Sequence, residues 1–236
     1  MPSCHCPRQG GRSELLGATN FKMDYKILRE LLKGNELIFK NNFDKIKENL
    51  PEEMLVMKGI KQSEPHEDID PLDHTFNVMG LLGEVKDKGA VMDTRDLNEH
   101  DKEILRCGTL YHDIGKGIDA LDTNHRFKSA ELAQKHVEKM GYSEEEIHDI
   151  LKLAETHDLL ARLSKGLEGG GLKIKAPVTL EQAVEEIETE RLLKLHYILI
   201  YSDFGATPGF KYMPHLVDAL NSINRSYEKL SEVCNK

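Results

Sequence analysis

The chain has 236 residues, enough for one domain with a sizeable core. It is 39% hydrophobic and 31% charged, with a mean hydropathy of −0.50 and no run of about 18 apolar residues, which argues against a membrane span. The net charge of −9 argues against an extensive nucleic-acid-binding surface, because such surfaces use many Lys and Arg contacts to phosphates. A small phosphorylated substrate stays compatible, since a bound metal and one or two lysines can meet its charge.

The first 22 residues differ in character from the rest of the chain. They show no apolar periodicity, and no second ligand pair at zinc-site spacing follows Cys4, His5 and Cys6. We therefore expect residues 1–22 to be a disordered or added extension without a role, and residues 23–236 to form a single domain. Four cysteines in a chain of this length do not make a disulfide framework, which predicts a reducing, cytoplasmic location.

From Met23 onward the pattern is helical and strand signals are nearly absent. Asp70 followed by Pro71 predicts a helix start, with the aspartate as N-cap and the proline at the first helical position. A second helix is predicted from near Asn98 to His112. Together these patterns predict an all-α fold.

Two capping boxes mark further helices. Ser143 with Glu146 opens one, and Thr179 with Gln182 opens a long helical pattern that runs to Asp203. The chain closes with an amphipathic helix at about 214–234, whose apolar stripe favours the core over a partner surface.

The loop predicted at 166–177 is the only connection with a marked composition, because it contains Gly169, Gly170 and Gly171. It lacks the Lys-Ser or Lys-Thr ending of a phosphate-binding P-loop. A flexible connection or an active-site flap is the interpretation we favour. The chemistry is therefore expected from side chains on helices.

Most histidines in helical proteins lie on the surface or are satisfied core residues. We assign five of the eleven histidines to that class: His100, His136, His148, His196 and His215. Six other residues stand on or beside apolar helix faces: His74, His112, Asp113, His125, His157 and Asp203. A buried ionisable group without a partner is costly, so these positions predict mutual pairing or a shared metal. Of the six, His125 is placed in the loop before the helix of Ala130.

The order of these residues resembles that of a known family. A histidine at 74, a His-Asp pair at 112–113 and an aspartate at 203 resemble the pattern of the HD superfamily of metal-dependent phosphohydrolases. Three local strings are similar as well: Asp73-His74-Thr75, Tyr111-His112-Asp113-Ile114-Gly115-Lys116 and Tyr201-Ser202-Asp203-Phe204-Gly205-Ala206. The resemblance covers roughly residues 55–206 and implies an all-α HD-domain helical bundle.

Two stretches are similar to HD domains of the bacterial tRNA nucleotidyltransferase type. The first runs from Gln62 through His66 and Asp70 to His74, and the second, residues 125–131, looks like the next helix of those domains.

The resemblance implies a first metal ion held by four residues. These are His74, His112, Asp113 and Asp203. His125 and His157 match the two additional histidines of HD proteins with a two-metal centre, in which Asp113 would bridge the ions. The alternative is that both histidines only hydrogen-bond the substrate.

Further roles follow from the same resemblance. Asp113 and Lys116 would be catalytic, and Lys116, Lys128 and His66 would contact the substrate. Mixed imidazole and carboxylate ligation favours Mn, Fe, Co, Ni or Zn over Mg, with one or two ions bound.

The implied reaction is attack of metal-activated water on a phosphomonoester or phosphodiester of a nucleotide-like substrate. The alternatives are a di-iron oxygenase with the same ligand set and a non-catalytic nucleotide-binding HD domain. The sequence leaves the oligomeric state open.

Overall fold

The computed structural model describes residues 23–62, 66, 68–119, 124–168, 176–207 and 216–234. These residues form twelve α-helices and three 3-10 helices and contain no strand, which confirms the all-α prediction. The α-helices are α1 Tyr25–Leu31, α2 Glu36–Asn41, α3 Phe43–Glu48, α4 Glu52–Leu55, α5 Pro71–Leu81, α6 Glu99–Tyr111, α7 His125–Met140, α8 Glu144–Thr156, α9 Leu159–Glu168, α10 Leu180–Ile187, α11 Glu190–Ala206 and α12 Leu216–Cys234. The 3-10 helices are Val85–Lys88, Thr94–Asp96 and Ile114–Gly117.

The predicted helix starts are confirmed at their caps. The Asp70 carboxylate accepts a hydrogen bond from the Asp73 amide, and Pro71 occupies the first turn of α5. The Asn98 side chain caps α6 through the Asp101 amide. Both predicted capping boxes are present, at the starts of α8 and α10. These side chains satisfy amides that the first turn of a helix leaves without partners.

The helices pack as a bundle around a continuous apolar core. Helices α6, α7 and α8 contact one another, α11 lies against α5, and α12 lies against α9 and α11. In α12, the stripe of Ile223, Tyr227 and Leu230 is buried in this core, as the sequence pattern predicted. Within the described residues, no helix has both the length and the apolar character required to cross a membrane.

The prediction of one long helix from Thr179 to Asp203 is wrong in one respect, because the helix is interrupted between α10 and α11. Glu188 adopts a φ of 64°, which ends α10, and the Thr189 side chain then caps α11 by accepting from the Leu192 amide. The Glu188 side chain contacts α8 through a hydrogen bond with His148 and an ion pair with Lys152.

The predicted loop at 166–177 is also partly wrong. Gly166 lies inside α9, where an added Cβ would clash with the Val178 carbonyl oxygen. The rest of that prediction falls mainly on residues 169–175, which lie outside the described residues, as do the proposed extension at 1–22 and His215.

Gly108 allows α6 and α8 to approach closely, because a Cβ there would lie 2.8 Å from the Leu153 Cβ. Replacing Gly108 with Ala should lower the free energy of unfolding by about 1–3 kcal/mol, because the two helices must separate. Gly80→Ala is the matched control, since its Cβ meets only Phe43 at 3.8 Å. The control should be neutral or stabilising by up to about 1 kcal/mol. Chemical denaturation followed by helical circular dichroism measures both, and equal stabilities would contradict the close approach.

Candidate metal centre

The six candidate residues stand at or directly beside the ends of five α-helices and one 3-10 helix. His74 lies in the first turn of α5, and Asp203 lies in the last turn of α11. His112 and His157 are the residues directly after α6 and α8. Asp113 precedes the Ile114–Gly117 helix. His125 is the first residue of α7, so its predicted position in a loop is wrong.

One group of three side chains joins α5, α6 and α11. His74, His112 and Asp203 offer ligand atoms that all lie within 4.8 Å of one another. The His74 Nε2 lies 2.7 Å from Asp203 Oδ1, and the His112 Nε2 lies 4.0 Å from the same oxygen. Both imidazoles are fully buried.

A second group lies directly beside it. Asp113, His125 and His157 also offer ligand atoms within 4.8 Å of one another. Asp113 Oδ1 lies 3.0 Å from His125 Nε2 and 3.9 Å from His157 Nε2, whereas Asp113 Oδ2 lies 3.5 Å from His112 Nε2. One carboxylate oxygen thus faces each group, so Asp113 stands between the two.

The two histidines that follow helix ends are oriented in the same way. His112 Nδ1 lies 2.7 Å from the Thr109 carbonyl oxygen, and His157 Nδ1 lies 2.9 Å from the Ala154 carbonyl oxygen. Each carbonyl belongs to the last turn of a helix, where backbone oxygens lack the usual helical partner four residues later. An Nδ1–H donated to that oxygen leaves Nε2 with its lone pair, the form in which an imidazole binds a metal.

The burial of these groups sets their charges. Burial lowers the pKa of His112 to about 4, so this imidazole is neutral near pH 7. Burial opposes ionisation of Asp113 and Asp203, but nearby partners outweigh it and hold both pKa values below the usual range. For Asp113 the main partner is the Lys116 ammonium, and for Asp203 it is the hydrogen bond to His74. Neutral imidazoles and ionised carboxylates are the protonation states that bind a divalent cation.

The arrangement fits a metal ion. His112 Nε2 is buried and has no hydrogen-bond partner in the described part of the chain, although two carboxylates lie within 4.0 Å. A buried polar atom in that position is costly unless a further group satisfies it. Both three-residue groups could therefore hold a divalent ion, and their mixed nitrogen and oxygen donors suit a transition metal.

Two of the three proposed substrate contacts lie at this centre. Lys116 Nζ lies 2.6 Å from Asp113 Oδ2. The ring of His66 lies edge-on to that of His74, with centroids 4.6 Å apart. Lys128 is different, because its ammonium pairs with Glu131 on the surface of α7 and no described contact brings it to either group. Its role in substrate binding stays a prediction.

A glycine brings Asp113 close to α7. A Cβ on Gly115 would clash with the carbonyl oxygen of His125, so these two backbones are in direct contact. The Gly115 amide also donates a hydrogen bond to the Ser129 hydroxyl, one turn into α7. The short helix that carries Lys116 is therefore fixed to the helix that carries His125.

Sequence reasoning missed the residues that support the second group. Arg126 donates to the Glu155 carbonyl oxygen at the end of α8, and so joins the helices that carry His125 and His157. His196 lies 2.7 Å from the hydroxyl of Thr156. The adjacency of Arg126 to His125 was a usable signal, whereas only the tertiary packing brings His196 to α8.

The remaining histidines divide into two kinds. His100 and His148 are exposed, as predicted. His136 is buried and pairs with Glu53, and His196 is buried on α11. The prediction of no metal-binding role for them stands untested.

Fold and site together define an all-α protein with two adjoining histidine and aspartate groups able to hold metal. The chain matches the HD domain family model over residues 72–194, which is just over half of its length, and it belongs to the HD domain family. No curated protein matches the chain. Asp203 lies beyond the matched residues, and its contact with His74 comes from the structure.

Protein stripped of metal should lose stability as the pH falls from about 6.5 towards 4. Burial lowers the pKa to about 4 for His66 and His112 and to about 3 for His196. The unfolded chain therefore binds more protons in this range, so the stability present above pH 6.5 is lost on acidification. Each imidazole contributes up to about 1.4 kcal/mol per pH unit.

Urea denaturation across this pH range measures the effect. His112→Gln should flatten the slope, since it removes one of the imidazoles whose pKa burial lowers. His100→Gln, an exposed position, should leave the slope unchanged. A pH-independent stability would contradict burial of these imidazoles in their neutral form.

Proposed function

We propose that the chain is a metal-dependent phosphohydrolase that cleaves a phosphomonoester or phosphodiester bond of a nucleotide-like substrate. The observation that carries the proposal is the position of Asp113, a buried carboxylate between two metal-binding groups with the Lys116 ammonium 2.6 Å away. Membership of a family that consists generally of metal-dependent hydrolases supports the same reaction.

In the proposed enzyme, His74, His112, Asp113 and Asp203 hold a first ion, and His125 and His157 complete a second site that shares Asp113. Support for a shared ligand comes from the two carboxylate oxygens of Asp113, which face different groups. A bound divalent transition metal supplies an acidic water for attack and neutralises charge on the phosphoryl oxygens.

The protein's own groups bind and orient the substrate. Lys116 meets a phosphoryl oxygen with its ammonium, which the short ion pair to Asp113 keeps inside the site. A preorganised cation of this kind stabilises the charge that develops in phosphoryl transfer. His66, whose ring packs edge-on against that of His74, also contacts the substrate in the proposed enzyme.

A nucleotide-like substrate is proposed from two features. The stretches Gln62–His74 and 125–131 are similar to HD domains of the tRNA nucleotidyltransferase type. The net charge of −9 disfavours a long nucleic acid, which needs many cationic contacts, and favours a small molecule.

A screen of phosphorylated metabolites tests the reaction class. The chain is loaded separately with Mn, Fe, Co, Ni and Mg, and phosphate or nucleoside release is measured. Release with at least one transition metal, lost on Asp113→Ala, is the expected result. An iron-loaded protein that consumes oxygen and releases no phosphate would contradict hydrolysis and favour the oxygenase alternative.

The number of ions per chain is the next prediction. Protein purified without chelators should contain close to two ions, because two groups of three ligands are present. His125→Ala combined with His157→Ala should reduce this to about one ion. His100→Ala with His148→Ala is the matched control at two exposed histidines and should keep both ions. Elemental analysis measures the ratio, and one ion in wild type and variant alike would make the centre mononuclear.

Lys116→Ala should lower turnover by one to three orders of magnitude, on the scale of about 2–4 kcal/mol for one preorganised electrostatic partner. Metal content should not change, since Lys116 is no ligand. Lys102→Ala is a close control, because Lys102 also pairs with a carboxylate three residues before it and its side chain is 13% exposed, against 12% for Lys116. Steady-state kinetics and elemental analysis of both variants decide the matter, and metal loss in Lys116→Ala would show that the lysine supports the ligands instead.

A further inference from the structure

Among the described residues, the His196 side chain makes one hydrogen bond, and its direction can be deduced from the neighbouring groups. Its Nε2 lies 2.7 Å from the Thr156 hydroxyl, and that hydroxyl lies 2.7 Å from the Lys152 carbonyl oxygen. A hydroxyl has one proton, and a carbonyl oxygen can only accept, so the threonine donates to Lys152. The bond to Thr156 is therefore donated by the His196 Nε2–H.

The hydrogen bond from His196 is made to the last turn of α8, which sets the orientation of His157. Thr156 is the last residue of α8, and His157 follows it directly. The His157 ring is oriented by its own bond to the Ala154 carbonyl oxygen in the same turn. Any change in the path of residues 152–156 would therefore rotate the His157 Nε2 relative to Asp113, which lies 3.9 Å away.

The burial of the His196 imidazole is energetically unfavourable if the residue serves only to fill the core. It is buried, and its Nδ1 has no hydrogen-bond partner among the described residues. The other buried residues of this part of α11 are mainly apolar, with Leu192, Leu195 and Leu199 fully or almost fully buried. An apolar side chain of similar size would avoid the cost of an unpartnered buried nitrogen.

Helix α11 also carries Asp203, seven residues after His196. Seven residues make about two helical turns, so both side chains lie on the same side of the helix. One side of α11 thus provides a member of the first group and a hydrogen bond to the turn that precedes a member of the second.

We propose that His196 is a positioning residue that holds His157 in the geometry of the second metal site. The proposal rests on the two-ion centre proposed above. Loss of a group that orients a metal ligand typically weakens metal binding by 10- to 100-fold. The expected effect of removing the His196 N–H is a weakening of this size for the second ion alone.

The test is a titration of the chelator-treated full chain with Mn²⁺, followed by calorimetry and by equilibrium dialysis. His196→Leu removes the donor and keeps an apolar side chain of similar size. It should bind the first ion as wild type does and the second ion 10- to 100-fold more weakly. Its midpoint of thermal unfolding without metal should be unchanged or raised, because the unpartnered nitrogen is gone. His196→Gln, which keeps an N–H donor, should recover much of the second-ion affinity.

His136→Leu is the matched control, since it removes another buried histidine that pairs with Glu53 instead of α8. It should leave the affinity of the second ion unchanged. The wild-type titration tests the two-ion centre independently. A single ion in the wild-type protein would overturn both the two-ion centre and the role of His196, but not the proposed hydrolysis. Two ions in wild type with unchanged second-ion affinity in His196→Leu would overturn only the role of His196. Loss of both ions or of the fold in His196→Leu would assign it a general structural role and also overturn the proposal.

Discussion

The structure depends most on how the buried carboxylate of Asp113 is compensated. Its negative charge is removed from water, and an isolated charge in that position would be strongly destabilising. Lys116 offsets it from the short helix that directly follows, His125 approaches from α7, and His112 and His157 lie within 4 Å. Each partner comes from a different helix or helix end. The packing of these helices therefore brings together the groups that compensate the Asp113 charge and that could hold a metal.

The centre uses a property that every helix possesses. The last turn leaves carbonyl oxygens without helical partners, and His112 and His157 both bond to such an oxygen three residues earlier. The same bond satisfies the backbone and selects the ring nitrogen that faces the carboxylates. In both histidines, the ring is therefore hydrogen-bonded to the backbone of the helix that precedes it. A histidine in the middle of a helix, such as His136, has no free carbonyl of this kind nearby.

Local signals in the sequence account for most of the fold. Asp70, Asn98 and Ser143 were readable as helix starts because a cap depends only on residues close in sequence. The break at Glu188 was not, since its positive-φ conformation is accompanied by contacts with His148 and Lys152 of α8, which are distant in sequence. Within the candidate centre, the placement of five of the six residues on helix faces and ends was predictable from periodicity and motif order, and His125 was the exception. The geometry of the two groups is compatible with metal binding.

What could not be predicted depends on tertiary contacts. His125 was assigned to a loop because nothing local caps α7, whose start has no side-chain cap hydrogen bond. His196 looked like an ordinary core histidine, since its partner Thr156 is forty residues away.

Direct backbone contact between Gly115 and His125 has a mechanical consequence. Side chains between two helices can change rotamer and so accommodate a small shift of one helix against the other. Two backbones in direct contact cannot adjust in this way. Any displacement of the start of α7 must carry the Ile114–Gly117 helix with it, and Asp113 and Lys116 move along. Asp113, His125 and the Lys116 ammonium are therefore expected to move together if the start of α7 opens locally.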